Sequence, residues 1–193
     1  MARSKTFDQR AVLEKAMAVF WQKGYEATSM QDLVAAMGIN RPSLYATFTD
    51  KHQLFLRAIA HYHQTVVKTV IDRLTVPDAG RNAIEVHFQT IVDQVSSDSR
   101  CHGCLMTNTI AEFGGKDEAI ALLTKANLQH LEDAFFTALF RAQARAEIRP
   151  EKDIRALARY FTTDTQGLRV TSKLNPDPAA LQDVVSVILA ALD

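Results

Sequence analysis

The feature that most constrains this chain is a helical periodicity that runs almost from end to end. Apolar residues recur at three- and four-residue spacing, and no segment shows the sustained apolar and polar alternation of a strand. Glycines and prolines interrupt the pattern at helix-sized intervals, so the sequence predicts an all-α fold of about nine helices. The interruptions lie at Gly24, Gly38, Pro77 to Gly80, Gly103, Gly114-Gly115, Pro150 and Pro176 to Pro178.

Capping residues place the ends of the first four helices. Their predicted limits are the N-cap Asp8 to the C-cap Gly24, Thr28 or Ser29 to Gly38, the N-cap Asn40 through Tyr45, and Asp50 to about Leu74. Later helices are predicted near 79–97, 101–113, 117–146, 151–173 and 177–192. Two short helices around a glycine turn are typical of a helix-turn-helix.

The chain is long enough for a small domain joined to a larger one. It has 193 residues, of which 47% are hydrophobic. We expect a three-helix N-terminal domain over 1–50 and a C-terminal helical domain over 51–193, linked by the fourth helix at about 51–74. No apolar run is long enough for a membrane span and the N-terminus lacks the pattern of a leader, so we expect a cytoplasmic protein without a membrane partner.

Residues 20–55 closely resemble the DNA-binding region of the TetR family of transcription factors. The usual family run is F-x-x-x-G-Y-x-x-T-S-hydrophobic, a helix, and then G-V-S-x-x-x-L-Y-x-x-F-x-x-K-x-x-L. The matching residues are Phe20, Gly24, Tyr25, Thr28, Ser29, Met30, Ile39, Leu44, Tyr45, Phe48, Lys51 and Leu54. The resemblance implies a homodimeric regulator, usually a repressor, whose N-terminal domain binds operator DNA and whose C-terminal domain binds a signal and dimerises.

The matched positions also have physical roles of their own. Apolar members are placed to form a small core that locks the first three helices against the fourth: Phe20, Leu33, Ile39, Leu44, Phe48 and Leu54. In a helix-turn-helix the second helix enters the major groove, and its first residues meet base edges. The residues predicted to contact bases are Asn40, Arg41, Ser43 and Tyr45, and those predicted to contact phosphates are Thr28, Tyr45, Thr47 and Lys51.

Charge and local departures refine this prediction. The first 60 residues hold eight Lys and Arg against five Asp and Glu, although the whole chain has no net charge. A basic front half suits double-stranded DNA, and a dimer suits a near-palindromic operator. Pro42 and the pair Ala46-Thr47 depart from the commonest family residues, so no base preference is transferred from relatives.

The last two helices carry apolar stripes at i, i+3, i+4 and i+7 spacing. The resemblance implies that these helices pair with their symmetry mates in a four-helix interface. The predicted interface residues are Phe161, Leu168, Leu181, Val184, Val185, Ile188 and Leu189. The alternative is that both stripes face the core of their own domain.

Residues 101–108 and Glu112 resemble a G-C-L-x-x-N-x-x-x-E pattern at the start of helix six in a TetR subgroup that includes sensors of electrophiles, oxidants and acrylate-like compounds. The resemblance points to Cys104, Cys101 and Asn108 as sensing residues for an unknown small-molecule inducer or electrophile. A helix N-terminus favours the thiolate form of a nearby cysteine, and Cys101 is placed to act as its resolving partner. The alternative is that both cysteines are small buried hydrophobes.

Other classes of function fit the residues less well. A redox-active C-x-x-C enzyme normally places that motif in a βαβ unit, and no strands are predicted here. A zinc or copper site would crowd two cysteines and His102 within four residues, so we predict no metal, no cofactor and no catalytic residue. The remaining alternative is a helical adaptor whose helix-turn-helix no longer binds DNA.

Overall fold

The computed structural model describes residues 7–97 and 102–193, and over these residues it confirms an all-α fold with nine helices. The first three are α1 (Gln9–Lys23), α2 (Met30–Met37) and α3 (Arg41–Phe48). α4 is one continuous helix made of Lys51–Tyr62, the π-helical stretch His63–Val67, and Lys68–Thr75. The others are α5 (Arg81–Ser97), α6 (Leu105–Phe113), α7 (Glu118–Ala144), α8 (Ile154–Leu174) and α9 (Pro178–Ala190).

Capping explains where the N-terminal helices begin and end. The carboxylate of Asp8 accepts hydrogen bonds from two backbone N–H groups of α1, and Gly24 ends that helix at φ +83°. Ser29, rather than Thr28, caps α2. α3 begins after its N-cap Asn40 and continues to Phe48, beyond the predicted end.

The sequence placed the start of α6 too early. The helix begins at Leu105, with Cys104 as its N-cap residue in extended backbone, and not near residue 101. Residues 102–104 are not helical, and Cys101 lies outside the described residues. Gly103 adopts φ +67°, a left-handed conformation that interrupts a helix at this point.

The helices pack around two hydrophobic cores. The first contains the predicted residues Phe20, Leu33, Leu44, Phe48 and Leu54, all fully buried, whereas Ile39 is only partly buried. The same cluster includes three buried residues of the later helices, which are Leu105, Met106 and Ile120. α6 and the start of α7 therefore share one core with the helix-turn-helix.

The second core lies farther along the chain. The rings of Phe88, Phe135 and Phe161 meet at its centre, with centroids 5.5 to 6.1 Å apart. These rings come from α5, α7 and α8, and α9 adds Leu181, Val185 and Ile188. Among the described residues, no helix is both long and apolar enough to cross a membrane.

α4 connects the two cores. Its first part buries Leu54, Phe55 and Ile59 in the first core, and its last part buries Leu74 in the second. Between them lies the stretch His63–Val67, where a π-helix accommodates one extra residue in a turn. A movement in the C-terminal helices can therefore reach the N-terminal helices through α4.

Candidate functional site

The exposed face of α3 is defined by the residues that α3 buries. Leu44 and Phe48 are buried in the first core, whereas Arg41 and Tyr45, one turn apart, are exposed. Pro42 occupies the first turn, where a missing N–H costs no hydrogen bond. Tyr45 is 45% exposed, so its ring is open to a partner.

Several of the other predicted DNA contacts have partners within the chain. The side chain of Asn40 accepts a hydrogen bond from the backbone N–H of Ser43 at 2.9 Å, and the hydroxyl of Thr47 donates to the carbonyl of Ser43 at 2.9 Å. The ammonium of Lys51 lies 4.3 Å from the centre of the Tyr25 ring. α3 and the start of α4 thus bring these residues onto one end of the molecule.

Thr28 requires a correction. Its side chain is only 1% exposed, and its hydroxyl donates a 2.5 Å hydrogen bond to the carbonyl of Gly24. This arrangement closes the loop between α1 and α2 and does not present the hydroxyl to solvent. The expected phosphate contact from Thr28 therefore conflicts with its burial.

Glu112, near the end of α6, binds the loop that leads into α2. Its two carboxylate oxygens accept hydrogen bonds from the backbone N–H groups of Tyr25 and Glu26, at 2.9 and 2.7 Å. A side chain at Gly24 would place its Cβ only 3.1 Å from the same carboxylate. The sequence matched Glu112 to a pattern but gave it no role, since a contact across 87 residues leaves no local signal.

Aromatic packing strengthens this connection between α6 and the helix-turn-helix. Phe113 lies 5.1 Å from Tyr25 and 5.7 Å from Phe55, measured between ring centroids. Phe55 in turn packs 4.9 Å from Phe20 of α1. The C-terminal end of α6 is therefore fixed to α1, α4 and the loop before α2, by both hydrogen bonds and packing.

The other end of α6 holds Cys104, which is half-buried. The phenol of Tyr62 donates a hydrogen bond to its Sγ atom at 3.5 Å, and burial raises the pKa of that phenol well above its usual value. The phenol therefore remains a donor at physiological pH. Trp21 packs 5.0 Å from the Tyr62 ring and 6.4 Å from the His102 ring, and its buried Nε1 has no hydrogen-bond partner among the described residues.

Asn108 connects the start of α6 to its surroundings. Its amide nitrogen donates to the carbonyl of His102 at 3.0 Å, and its amide oxygen accepts from the ammonium of Lys173 at 3.1 Å. These bonds hold the residues before α6 against α8. Cys104 and Asn108 thus lie together at one end of α6, whereas the position of Cys101 falls outside the described residues.

Five of the seven predicted interface residues are instead buried within the chain. These are Phe161, Leu168, Leu181, Val185 and Ile188, which pack in the second core. Val184 is exposed and Leu189 is partly buried. The apolar stripe recognised in the sequence is therefore mainly the inner face of α8 and α9.

A second stripe lies on the outer face of the same two helices. It alternates small and apolar residues at four- and three-residue intervals, which is the spacing of a helix-packing seam. Its exposed members on α8 are Ala156, Tyr160, Thr163, Gly167, Val170 and Leu174, and those on α9 are Ala180, Val184 and Val187. Leu174 is 88% exposed and Val187 is 70% exposed, so this face is open to a partner.

A short helix, a glycine turn and a second short helix form a helix-turn-helix, and the second helix has an exposed polar and aromatic face. Carried on a larger helical domain, this arrangement defines a helix-turn-helix transcriptional regulator. Residues 12–58 match the family model of bacterial regulatory proteins of the tetR family, and residues 80–188 match that of the tetracyclin repressor-like C-terminal domain. The chain belongs to the TetR family.

Relatives at the level of whole chains agree with this assignment. The chain is 38% identical to the uncharacterized HTH-type transcriptional regulator YezE of Bacillus subtilis, over the full length of both. It is 32% identical to the HTH-type transcriptional repressor ComR of Escherichia coli, over 96% of this chain and 87% of ComR. A cysteine mutant of the regulator CifR, solved with 26-bp operator DNA, is 31% identical and superposes with a TM-score of 0.86, over 99% of this chain and all of the other.

Proposed function

We propose that this chain is a homodimeric repressor that binds a near-palindromic operator and leaves it when a signal acts on the C-terminal domain. The observation that carries the proposal is the Glu112 carboxylate, which joins α6 to the loop before α2. The repressor name of ComR and the operator complex of CifR support the same function. Each step can be tested separately.

Arg41 and Tyr45 are the residues best placed to enter the major groove. Both are exposed in the first two turns of α3, whereas Leu44 and Phe48 are buried. A guanidinium can donate two hydrogen bonds to guanine, a contact worth about 1–3 kcal/mol of base discrimination. Lys51, at the start of α4, is better suited to a phosphate, because its ammonium is a point charge without a planar pattern.

The DNA-binding role is tested by comparing Arg41→Ala with Lys51→Ala in salt titrations on operator and random duplexes. Arg41→Ala is expected to weaken operator binding by about 1–3 kcal/mol and to relax the base preference at one base pair in each half-site. Lys51→Ala is expected to weaken all duplexes alike and to lower the salt slope by about one. Arg149→Ala, an exposed position distant in the chain, is the matched control. Equal losses of Arg41→Ala on both duplexes would contradict base reading.

Dimerisation is the second step, and we assign it to the outer stripe of α8 and α9. A twofold axis brings the same patch of both protomers together, so a self-complementary apolar stripe is required. Gly167 and the small residues around it permit close approach of two helices. The pairing positions two α3 helices for successive major grooves, about 34–36 Å apart.

The signal is the third step, and α6 is its route. A thiolate of Cys104 can attack the β-carbon of an α,β-unsaturated carbonyl, forming a carbon–sulfur bond while the α-carbon takes up a proton. The added group would occupy the space in which Tyr62 donates to Sγ. A shift of α6 would then act on Tyr25 and Glu26 through Glu112 at its other end.

Operator release by acrolein tests this route in four proteins, namely wild type, Cys104→Ser, Cys101→Ser and Glu112→Gln. Cys104→Ser is expected to bind DNA and resist release. Glu112→Gln is expected to be alkylated at the wild-type rate, measured by mass spectrometry, but to release DNA incompletely. Cys101→Ser is expected to respond to acrolein and to lose reversible release by hypochlorite, since a disulfide needs both thiols. Normal release of Cys104→Ser would remove the thiol from the mechanism.

A further inference from the structure

A cleft of about 200 Å³ opens between α4, α5 and α8, and its lining includes neither α3 nor Cys104. Its apolar lining includes Val66, Val70 and Val86. Two arginines also line it, Arg73 of α4 and Arg169 of α8. None of its lining residues was assigned to the DNA-binding or thiol steps described above.

The charge of the cleft is unbalanced. Its lining contains two guanidinium groups and no carboxylate. Over residues 7–97 and 102–193, neither Arg73 nor Arg169 forms a salt bridge, and Arg169 donates instead to the neutral amide of Gln94 at 2.5 Å. In the same domain Arg81, Arg145 and Arg155 all pair with carboxylates. Within the described residues, the two guanidinium groups of the cleft therefore have no carboxylate partner.

The histidine in the cleft, His87, is uncharged. His87 is buried, and burial together with the charges of Arg169 and Arg73 lowers its pKa to about 3. Its Nε2 lies 3.0 Å from the hydroxyl of Thr165, which itself donates to the carbonyl of Phe161. Nε2 is consequently the donor in a neutral ring, and His87 adds no positive charge to that of the two arginines.

We propose that this cleft binds a small organic carboxylate, with its charged end at the arginines and its hydrocarbon part against the valines. A guanidinium matches a carboxylate in geometry as well as charge. The volume is below the 300–1,000 Å³ that is typical of sites for drug-sized ligands, which indicates a short-chain acid. A role of this ligand as an inducer rests on the proposed function. Binding of a carboxylate in the cleft does not depend on it.

Calorimetric titration of the full-length protein without DNA tests the proposal. Butyrate is the probe, butyramide has the same shape without the charge, and inorganic phosphate has the charge without the tail. We expect butyrate to bind at least tenfold more tightly than either. Arg73→Gln and Arg169→Gln are expected to weaken butyrate binding at least tenfold, whereas Arg149→Gln, outside the cleft, is expected to leave it unchanged.

A second measurement keeps the test independent of folding defects in the variants. Because a bound carboxylate changes the surroundings of His87, butyrate is expected to shift the ring resonances of His87 in the wild-type protein at pH 7, followed by NMR and assigned with His87→Gln. Equal binding of butyrate and butyramide, tighter binding of phosphate, or unchanged His87 resonances at pH 7 would overturn the proposal. Since no DNA is present, these outcomes leave operator binding to be judged separately.

Discussion

Gly103 and Gly114 flank α6 at positive φ, +67° and +56°, a backbone conformation that L side chains rarely adopt. Their surroundings differ. A Cβ at Gly103 would lie 2.8 Å from the carbonyl oxygen of Arg169, whereas a Cβ at Gly114 would meet nothing within 4 Å. The first glycine is thus required by both conformation and space, and the second by conformation alone.

Alanine substitutions separate these two effects. Gly114→Ala is expected to lower the free energy of unfolding by about 1–3 kcal/mol, the cost of a positive-φ backbone conformation that L residues rarely adopt. Gly103→Ala is expected to lower it further, because backbone on α8 must also move. Gly115→Ala, which has neither constraint, is the control. Urea unfolding measures all three, and equal losses at 103 and 114 would show that the close approach to Arg169 is tolerated.

At the residue scale the sequence predicted capping and burial better than it predicted partners. Asn40 was recognisable as an N-cap because the amide oxygen of a residue just before a helix can accept a hydrogen bond from a free backbone N–H group. Thr28 was misassigned because the sequence does not show that its hydroxyl turns back to Gly24. Glu112 matched the family pattern, but the sequence gave it no role, because its hydrogen-bond partners lie in a loop 86 and 87 residues earlier.

At the scale of elements, α2 is stabilised at its start by a reciprocal cap. Ser29 accepts from the backbone of Asp32, and Asp32 accepts from the backbone of Ser29. Lys23 of α1 adds a 2.7 Å salt bridge to the same carboxylate. The hydrogen bond from Lys23, followed by those from Ser29, lowers the pKa of Asp32 well below its usual value.

This shift predicts a pH dependence of stability. A carboxyl whose pKa is lower in the folded state stabilises the fold above its unfolded pKa of about 3.9, and the contribution is lost as pH falls towards the folded value. Asp32→Asn is therefore expected to be less stable than wild type at pH 7, with the difference shrinking below about pH 4. Unfolding midpoints at pH 7, 4 and 2.5 measure it, and a difference independent of pH would contradict the role of the charge.

Helix boundaries were predictable wherever a local cap or glycine set them, and less so elsewhere. α1 ends at Gly24 as expected, but α6 starts late because Cys104 stays extended after the left-handed Gly103. The π-helical stretch His63–Val67 had no signal in the sequence. Its residues have ordinary helix-compatible side chains, and the extra residue is accommodated by packing on both sides.

For the whole molecule, the main question left by the sequence was which face of α8 and α9 points outward. Both faces are apolar or small, so periodicity revealed the stripes without orienting them. Packing against Phe88 and Phe135 selects the stripe with Phe161 and Val185 as the inner one. We therefore propose that two protomers pair through the outer stripe of α8 and α9 and not through the inner one.

Charge substitutions of matched exposure test this assignment. Val187 is 70% exposed on the outer stripe, and Leu122 is 68% exposed on α7, outside it. Val187→Glu is expected to give monomers at micromolar concentration and to lose tight operator binding, because two like charges would meet across a twofold axis. Leu122→Glu is expected to remain dimeric. Light scattering measures the mass, and a dimeric Val187→Glu protein would place the interface elsewhere.

The π-helical stretch of α4 sets the angular relation between the two ends of the molecule. Each residue of an α-helix turns the chain by about 100°, so removing one residue from His63–Val67 would rotate the helix beyond it by that amount. Leu74 would then leave the second core, or the helix-turn-helix would turn the other way. The direction in which the exposed face of α3 points, relative to the outer stripe of α8 and α9, therefore depends on the number of residues in the middle of α4. That segment belongs to neither surface.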